Sequence, residues 1–215
     1  MGPRGRLILI EGLDRTGKST QAELLACELG SNSVLLKFPD RTTPVGQLID
    51  DYLKNRHNPL PDQAIHLLFS ANRWEAARRI ESALFAGKHV ILDRYVYSGA
   101  AYSCAKNVPG MDMKWCLDPE RGLIKPDFTI FFMNNGHESE QRAGFGDERY
   151  ETVQFQDRVK HTFLELFETW ENASYRENNM RFLNVANKSI TEVALEVKQI
   201  AEKCIRQGQD EILRF

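Results

Sequence analysis

Residues 7–20 read LILIEGLDRTGKST. An unbroken apolar run, Leu7 to Ile10, ends in Glu11 and leads directly into Gly12, Gly17, Lys18 and Ser19, the spacing G-x-x-x-x-G-K-[ST]. No other feature limits the fold as strongly. An apolar run without alternation is a strand buried on both faces, as strands of parallel sheets are. The glycine turn after it must pass the chain to a helix whose N-terminus, with the loop's backbone N–H groups, makes a concave anion site. The spacing therefore predicts a strand at Leu7–Glu11, a phosphate-holding loop, and a helix from Ser19 to Leu29 stopped by Gly30.

The remainder of the 215-residue chain alternates in the same way. Further strands are expected at Val34–Phe38, His89–Asp93, Phe128–Met133 and Arg181–Val185. Thr43-Pro44 reads as an N-cap with proline at the first helical position, opening a helix to about Asn55. Long helices are expected from Pro61 to Phe85, over Phe155–Trp170, and from Ser189 to Gln207, where apolar residues recur at helical spacing. The expected architecture is α/β: a three-layer P-loop NTPase fold, one domain over 1–215, with a five-stranded parallel sheet flanked by helices. The stretch Asn134–Glu148 is polar and aperiodic, and in a compact domain such a loop reads as a lid.

Composition narrows the partners. The formal charge is −2, so no basic field awaits duplex nucleic acid. Cys27, Cys104, Cys116 and Cys204 are far apart, without metal-ligand spacing, and read as reduced thiols. No apolar run reaches the roughly 18 residues that a bilayer requires. A cytoplasmic location is expected, with the nucleus as a second compartment.

Lys18 is the residue to reach the β- and γ-phosphates of a nucleotide, and Ser19 the one to offer a hydroxyl to Mg²⁺. In HVILDRY an apolar strand ends in Asp93, placed to face the metal, followed by Arg94. Asn187-Lys188-Ser189 begins a guanine-reading N-K-x-D, but Ile190 stands where the acid must be, which removes a GTPase. Arg41, Arg73 and Arg94, with Arg142 and Arg149 beside the polar loop, are extra cations suited to a second anionic substrate at the strand ends. A solvated helix face is the plainer reading of Arg73, and a mutual surface pair the plainer reading of Asp14 and Arg15.

FPDR (38–41), HLLFSANRWE (66–75), DRYVYSG (93–99) and FGDERYE (145–151), together with GLDRTGKST, resemble the thymidylate kinase family over roughly Arg6 to Glu202. The wording is similar to the eukaryotic type, fungal members above all. Asp40 stands where Glu is common, and the tail after Glu202 carries no family signal. The resemblance implies a nucleoside monophosphate kinase-like fold with a lid within 134–152, Mg²⁺ with ATP as donor, dTMP as acceptor, and a homodimer. On the ATP side it implies Gly12, Arg15, Thr16, Gly17, Lys18, Ser19 and Thr20, with Arg142 from the lid and Asn187 and Lys188 bordering the adenine. It implies that Phe69 stacks on the base and Arg73 donates to a pyrimidine carbonyl. Arg41 and Arg94 clamp the monophosphate, and Phe38 and Pro39 line the sugar pocket. Ser98, Gly99, Tyr102, Tyr150 and Gln156 complete the pocket. Asp14 takes the 3′-hydroxyl, while Arg15, Lys18, Asp93, Arg94 and Arg142 serve the transfer itself. A deoxynucleoside kinase of the same fold and a non-enzymatic nucleotide-dependent module remain as alternatives.

Overall fold

The computed structural model describes residues 3–134, 148–208 and 211–215. Arg142 and most of the expected lid lie outside the described residues. Strands β1 (Leu7–Gly12), β2 (Ser33–Lys37), β3 (His89–Asp93), β4 (Phe128–Met133) and β5 (Met180–Asn184) form one sheet in the order β2-β3-β1-β4-β5. Every pairing in it is parallel. The central strand β1 is buried along its whole length, as its unbroken apolar run requires.

Alternate residues of β1 serve opposite layers. Ile8 and Ile10 pack on Ala22 and Leu25 of helix α1 (Lys18–Leu29) and on Val193 and Val197 of the last helix. Leu7 and Leu9 face Ile80, Leu84, Val96 and Phe163 in the opposite layer. That layer comprises α3 (Asp62–Phe85), α4 (Val96–Cys104) and α6 (Val153–Trp170), with α2 (Pro44–Lys54) packed outside α3. Two short helices, α5 (Met113–Leu117) and α7 (Ala173–Asn179), and the last helix α8 (Ile190–Gln207) complete the set. Leu9 is fully buried, so Leu9→Ala would cost about 2–5 kcal/mol, the transfer term plus the cavity left behind.

The expected elements are present, with several ends moved by a residue. The first helix starts at Lys18 rather than Ser19. β2 ends at Lys37 because Pro39 has no N–H to continue a ladder. The fifth strand is Met180–Asn184 rather than Arg181–Val185. Thr43 caps α2 as expected, its Oγ1 accepting from Gly46 N at 3.0 Å. Helix α4 was not expected from VYSGAAYSC. Its Val96–Ala101 stretch is buried on all sides, so it shows no polar face and no helical stripe.

The chain leaves β1 toward α1 on one layer and leaves the adjacent β3 toward α4 on the other. The carboxyl ends of β1 and β3 therefore flank a crevice, where open α/β sheets bind ligands.

Candidate active site

The loop after β1 carries its own geometry. Gly12 has φ 143°, and a Cβ there would stand 2.6 Å from the Phe132 carbonyl oxygen. Gly17, at φ 91°, caps α1 in the left-handed region that glycine enters freely. Thr16 Oγ1 donates to the Leu13 carbonyl at 3.0 Å, and the Lys18 ammonium folds back onto that same carbonyl. Burial pulls the Lys18 pKa down to about 7, and the Arg94 charge adds to that effect. Ser19 Oγ donates to Asp93 Oδ2 at 2.5 Å. The other oxygen, Asp93 Oδ1, is buried with no protein partner, and Lys37 Nζ lies 3.2 Å from Ser19 Oγ.

Asp14 and Arg15 are neighbours in sequence but turn to different partners. The Asp14 carboxylate receives the Arg94 guanidinium on one oxygen and Gln156 Nε2, at 2.7 Å, on the other. Burial alone would raise its pKa, but the Arg94 and Lys18 charges outweigh this and hold it below the ordinary value. Arg15 reaches instead to Glu151, with Nε and Nη2 at 3.1 and 2.9 Å from Oε1. The two do not form a mutual surface pair.

Past the loop, Arg94 also donates to the Gly12 carbonyl at 3.1 Å and to Ser98 Oγ at 3.0 Å, and stands 5.3 Å from the centre of the Tyr102 ring. Arg41 bridges two acids, Asp50 at 2.5 Å and Glu148 at 2.7 Å. Arg73 is buried against Glu120, so the solvated-face reading fails. Phe69 and its neighbour Leu68 both pack against the α2–α3 cluster, and Phe69 also lines this space. One continuous cleft of about 460 Å³ joins these groups. Its lining includes Gly17, Lys18, Ser19 and Thr20 of the phosphate loop and α1, then Asp14, Arg15 and Arg94, and also Phe38, Pro39, Arg41, Phe69 and Arg73. Ser98, Gly99, Tyr102 and Tyr150 close its wall.

A family model described as Thymidylate kinase matches residues 10–197. The chain belongs to the thymidylate kinase family. It is 46% identical to the thymidylate kinase of Schizosaccharomyces pombe over 198 residues, covering 90% of each chain. It is 37% identical to the human thymidylate kinase over 214 residues, covering 98% of this chain and 96% of the human one. The solved thymidylate kinase of Candida albicans, described as revealing the origin of broad substrate specificity and a novel structural element, superposes with a TM-score of 0.89. It shares 44% identity, with both chains fully covered.

Within this family member some expected site residues lie outside the cleft wall. Asn187 sits in a turn at φ 57°, and Lys188 is engaged by Glu196 at 2.7 Å. Gln156 lies outside the lining and reaches the cleft through Asp14 and the Tyr150 carbonyl, 3.1 Å away. Arg149 faces away, donating to the carbonyls of Tyr52, Asn55 and Asn58, where it caps the end of α2.

Four acids that sequence reasoning missed organise the site. Glu11 is wholly buried and accepts from Tyr95 N, Ser98 N and Ser98 Oγ at 2.7–3.1 Å, tying the start of α4 to β1. Burial raises its pKa, an effect that Arg94 and the Ser98 donors only partly offset. A lone acid ending an apolar strand was the available signal for it. Glu120, Glu148 and Glu151 each hold one arginine of the cleft, and nothing local in the sequence pairs them.

Proposed function

We propose that this chain transfers the γ-phosphate of ATP to dTMP, giving dTDP and ADP. One observation carries the reading: a single cleft runs from the phosphate loop to a wall bearing Phe69, Arg73, Arg41 and Arg94. A nucleoside triphosphate and a pyrimidine monophosphate can lie in it end to end. The backbone of Gly17–Thr20 and the Lys18 ammonium take the donor phosphates. Arg41 and Arg94, each a planar fork, take the acceptor monophosphate. Phe69 stacks on the base, a contact worth roughly 1–3 kcal/mol. Asp14, fixed by Arg94 and Gln156, accepts the 3′-hydroxyl.

Mg²⁺ fits the donor set, since Ser19 offers a hydroxyl beside a carboxylate whose Asp93 Oδ1 is buried without a partner. Held there by Ser19 and Asp93, it would supply positive charge to neutralise the transferring phosphates. The chain's own residues do the rest. They align the acceptor oxygen with the γ-phosphorus, and Arg15 meets the charge that spreads over the equatorial oxygens. No covalent intermediate is needed. We also propose a homodimer, on the strength of exposed Leu67 and Trp74 on α3.

A coupled ADP-release assay with ATP and a panel of nucleoside monophosphates, with thymidine included, tests this. dTMP should be the best acceptor and thymidine inert. Phosphorylation of thymidine would indicate a deoxynucleoside kinase, and slow ATP turnover without dTMP dependence a nucleotide-dependent interaction module.

A further inference from the structure

Arg73 reaches the cleft from a buried position, at 2% exposure, and a buried guanidinium needs a partner that fixes its plane. Glu120 is that partner. Its Oε1 and Oε2 accept from Arg73 Nη2 and Nε at 2.6 and 2.8 Å, a two-point fork that leaves Nη1 unengaged by the carboxylate. Glu120 itself has no exposure and sits at the end of a tight turn, Asp118–Glu120.

That turn is clamped from two sides. From α3, Ser70 Oγ and Trp74 Nε1 donate to the Pro119 carbonyl at 3.3 and 2.8 Å. From the far end of the chain, residues 211–215 lie along the stretch that follows Glu120. Gly122 N donates to the Phe215 carbonyl at 3.1 Å, Phe215 N to the Leu123 carbonyl at 3.0 Å, and Lys125 N to the Leu213 carbonyl at 2.8 Å. Arg214 adds a bond to the Gly122 carbonyl and an ion pair to Glu81 on α3. The Phe215 ring packs on Tyr97 and on Tyr95, whose ring lies against Phe38 in the cleft wall.

We propose that Glu120, braced by the strap 211–215, is the positioning residue for Arg73 and sets which base edge the acceptor cleft admits. This rests on the reading of that end of the cleft as the acceptor-base site. A donor that cannot swing away rejects an exocyclic amino group, because two donors then face each other and both stay unsatisfied. The same rigid N–H donates to a carbonyl oxygen, the group that thymine presents and cytosine replaces by an amine. A loosened Arg73 would turn aside and lose both the attraction and the rejection. The strap lies beyond residues 10–197, which the family model matches, and its role is argued from its backbone bonds.

The test is steady-state kinetics of Glu120→Gln and Phe215→Ala with dTMP and dCMP as acceptors and ATP as donor. For Glu120→Gln we expect the dTMP KM to rise at least about tenfold, the ATP KM to stay within about threefold, and the dTMP-over-dCMP ratio of kcat/KM to fall about tenfold or more. Phe215→Ala leaves the ion pair in place and should move the same quantities in the same direction, by about threefold or more. It carries the test if Glu120→Gln does not fold. Equal loss toward both substrates, or an unchanged acceptor ratio in the variants that fold, overturns the proposal. Arg73→Gln separates the two readings. If it alters dTMP KM and base choice while the other variants do not, the bracing role is wrong and the acceptor site stands. If Arg73→Gln changes neither, the acceptor-site reading itself falls.

Discussion

The Arg15 guanidinium lies 2.9 Å from the Glu151 carboxylate, across the cleft from the loop that carries it. The contact holds a cation at the junction of the two proposed substrate halves, and its acid stands near the end of the 134–152 segment expected to form the lid. A partly exposed pair of this kind contributes little stability, about 0–1 kcal/mol, so its position matters more than its strength.

Arg15 should therefore matter to rate more than to folding. Its backbone has φ 60°, a conformation in which glycine is unstrained. Arg15→Gly should leave stability nearly unchanged and lower kcat by at least about a hundredfold, with both KM values changing much less. Lysine should rescue poorly, since a point charge cannot reproduce the fork. Steady-state kinetics at saturating ATP and dTMP decide it: a kcat within a few-fold of the parent would leave Arg15 only a partner of Glu151.

Arg94 also lies in the left-handed region at φ 66°, so glycine suits its backbone, although its loss leaves Asp14 without its guanidinium partner. Arg94→Gly removes the group that holds Asp14 and that lines the cleft where the acceptor phosphate is proposed to lie. Transfer to dTMP should collapse by about a thousandfold or more while ATP binding changes little. Calorimetric titration with each nucleotide checks the split. Parental dTMP binding would place the acceptor site elsewhere.

The sheet, the phosphate loop and the long helices were legible because their signals are local: an apolar run, glycine spacing, a cap. Thr43-Pro44 and GKST report on residues within one turn of themselves. The arginines of the cleft were legible as candidates, but their partners were not. Arg73 and Glu120 are 47 residues apart, and Arg15 and Glu151 are 136 apart. Only the folded sheet brings such pairs together, and no periodicity encodes them. Helix α4 escaped for a different reason, since a helix buried on all sides has no stripe to read.

Base choice follows from Phe69 and Arg73 facing one cleft. dTMP should exceed dUMP in kcat/KM by roughly 1–3 kcal/mol equivalent, the usual discrimination for one carbon in an apolar pocket. dGMP and dAMP should be poor. Purine monophosphates matching dTMP in a competition assay would rule out this arrangement.

Gly99 tests the space around Arg73 directly. A Cβ there would meet the Arg73 guanidinium at 2.4–2.8 Å, and the Glu120 fork keeps that group from moving aside. Gly99→Ala should raise the dTMP KM by about tenfold or more and leave the ATP KM unaffected. An unchanged dTMP KM would mean that Arg73 has room that the geometry denies it.

The last expectation concerns acid stability and lies away from the cleft, at His66. Its ring has no exposure, its Nδ1 lies 2.8 Å from Ser103 Oγ, and its Nε2 is buried with no partner. Burial lowers its pKa to about 4, with the Arg73 charge pushing the same way. In the unfolded chain the imidazole titrates near 6.5. Above that pH both states hold it neutral, and it contributes no slope. As pH falls through 6.5 the unfolded state takes a proton that the folded state refuses, so stability drops until the folded group titrates near 4. The full window is worth about 3 kcal/mol. Other groups titrate nearby: His89 is also lowered, Asp14 is lowered, and Glu11 is raised. The decisive quantity is thus a difference between two proteins. Urea unfolding of the parent and of His66→Leu at pH 7 and pH 4.5 should show the parent losing about 2–3 kcal/mol more than the variant on acidification. Equal losses in the two would mean that His66 accepts its proton in the folded state, and that the pocket formed with Ser103 and Trp115 tolerates the charge.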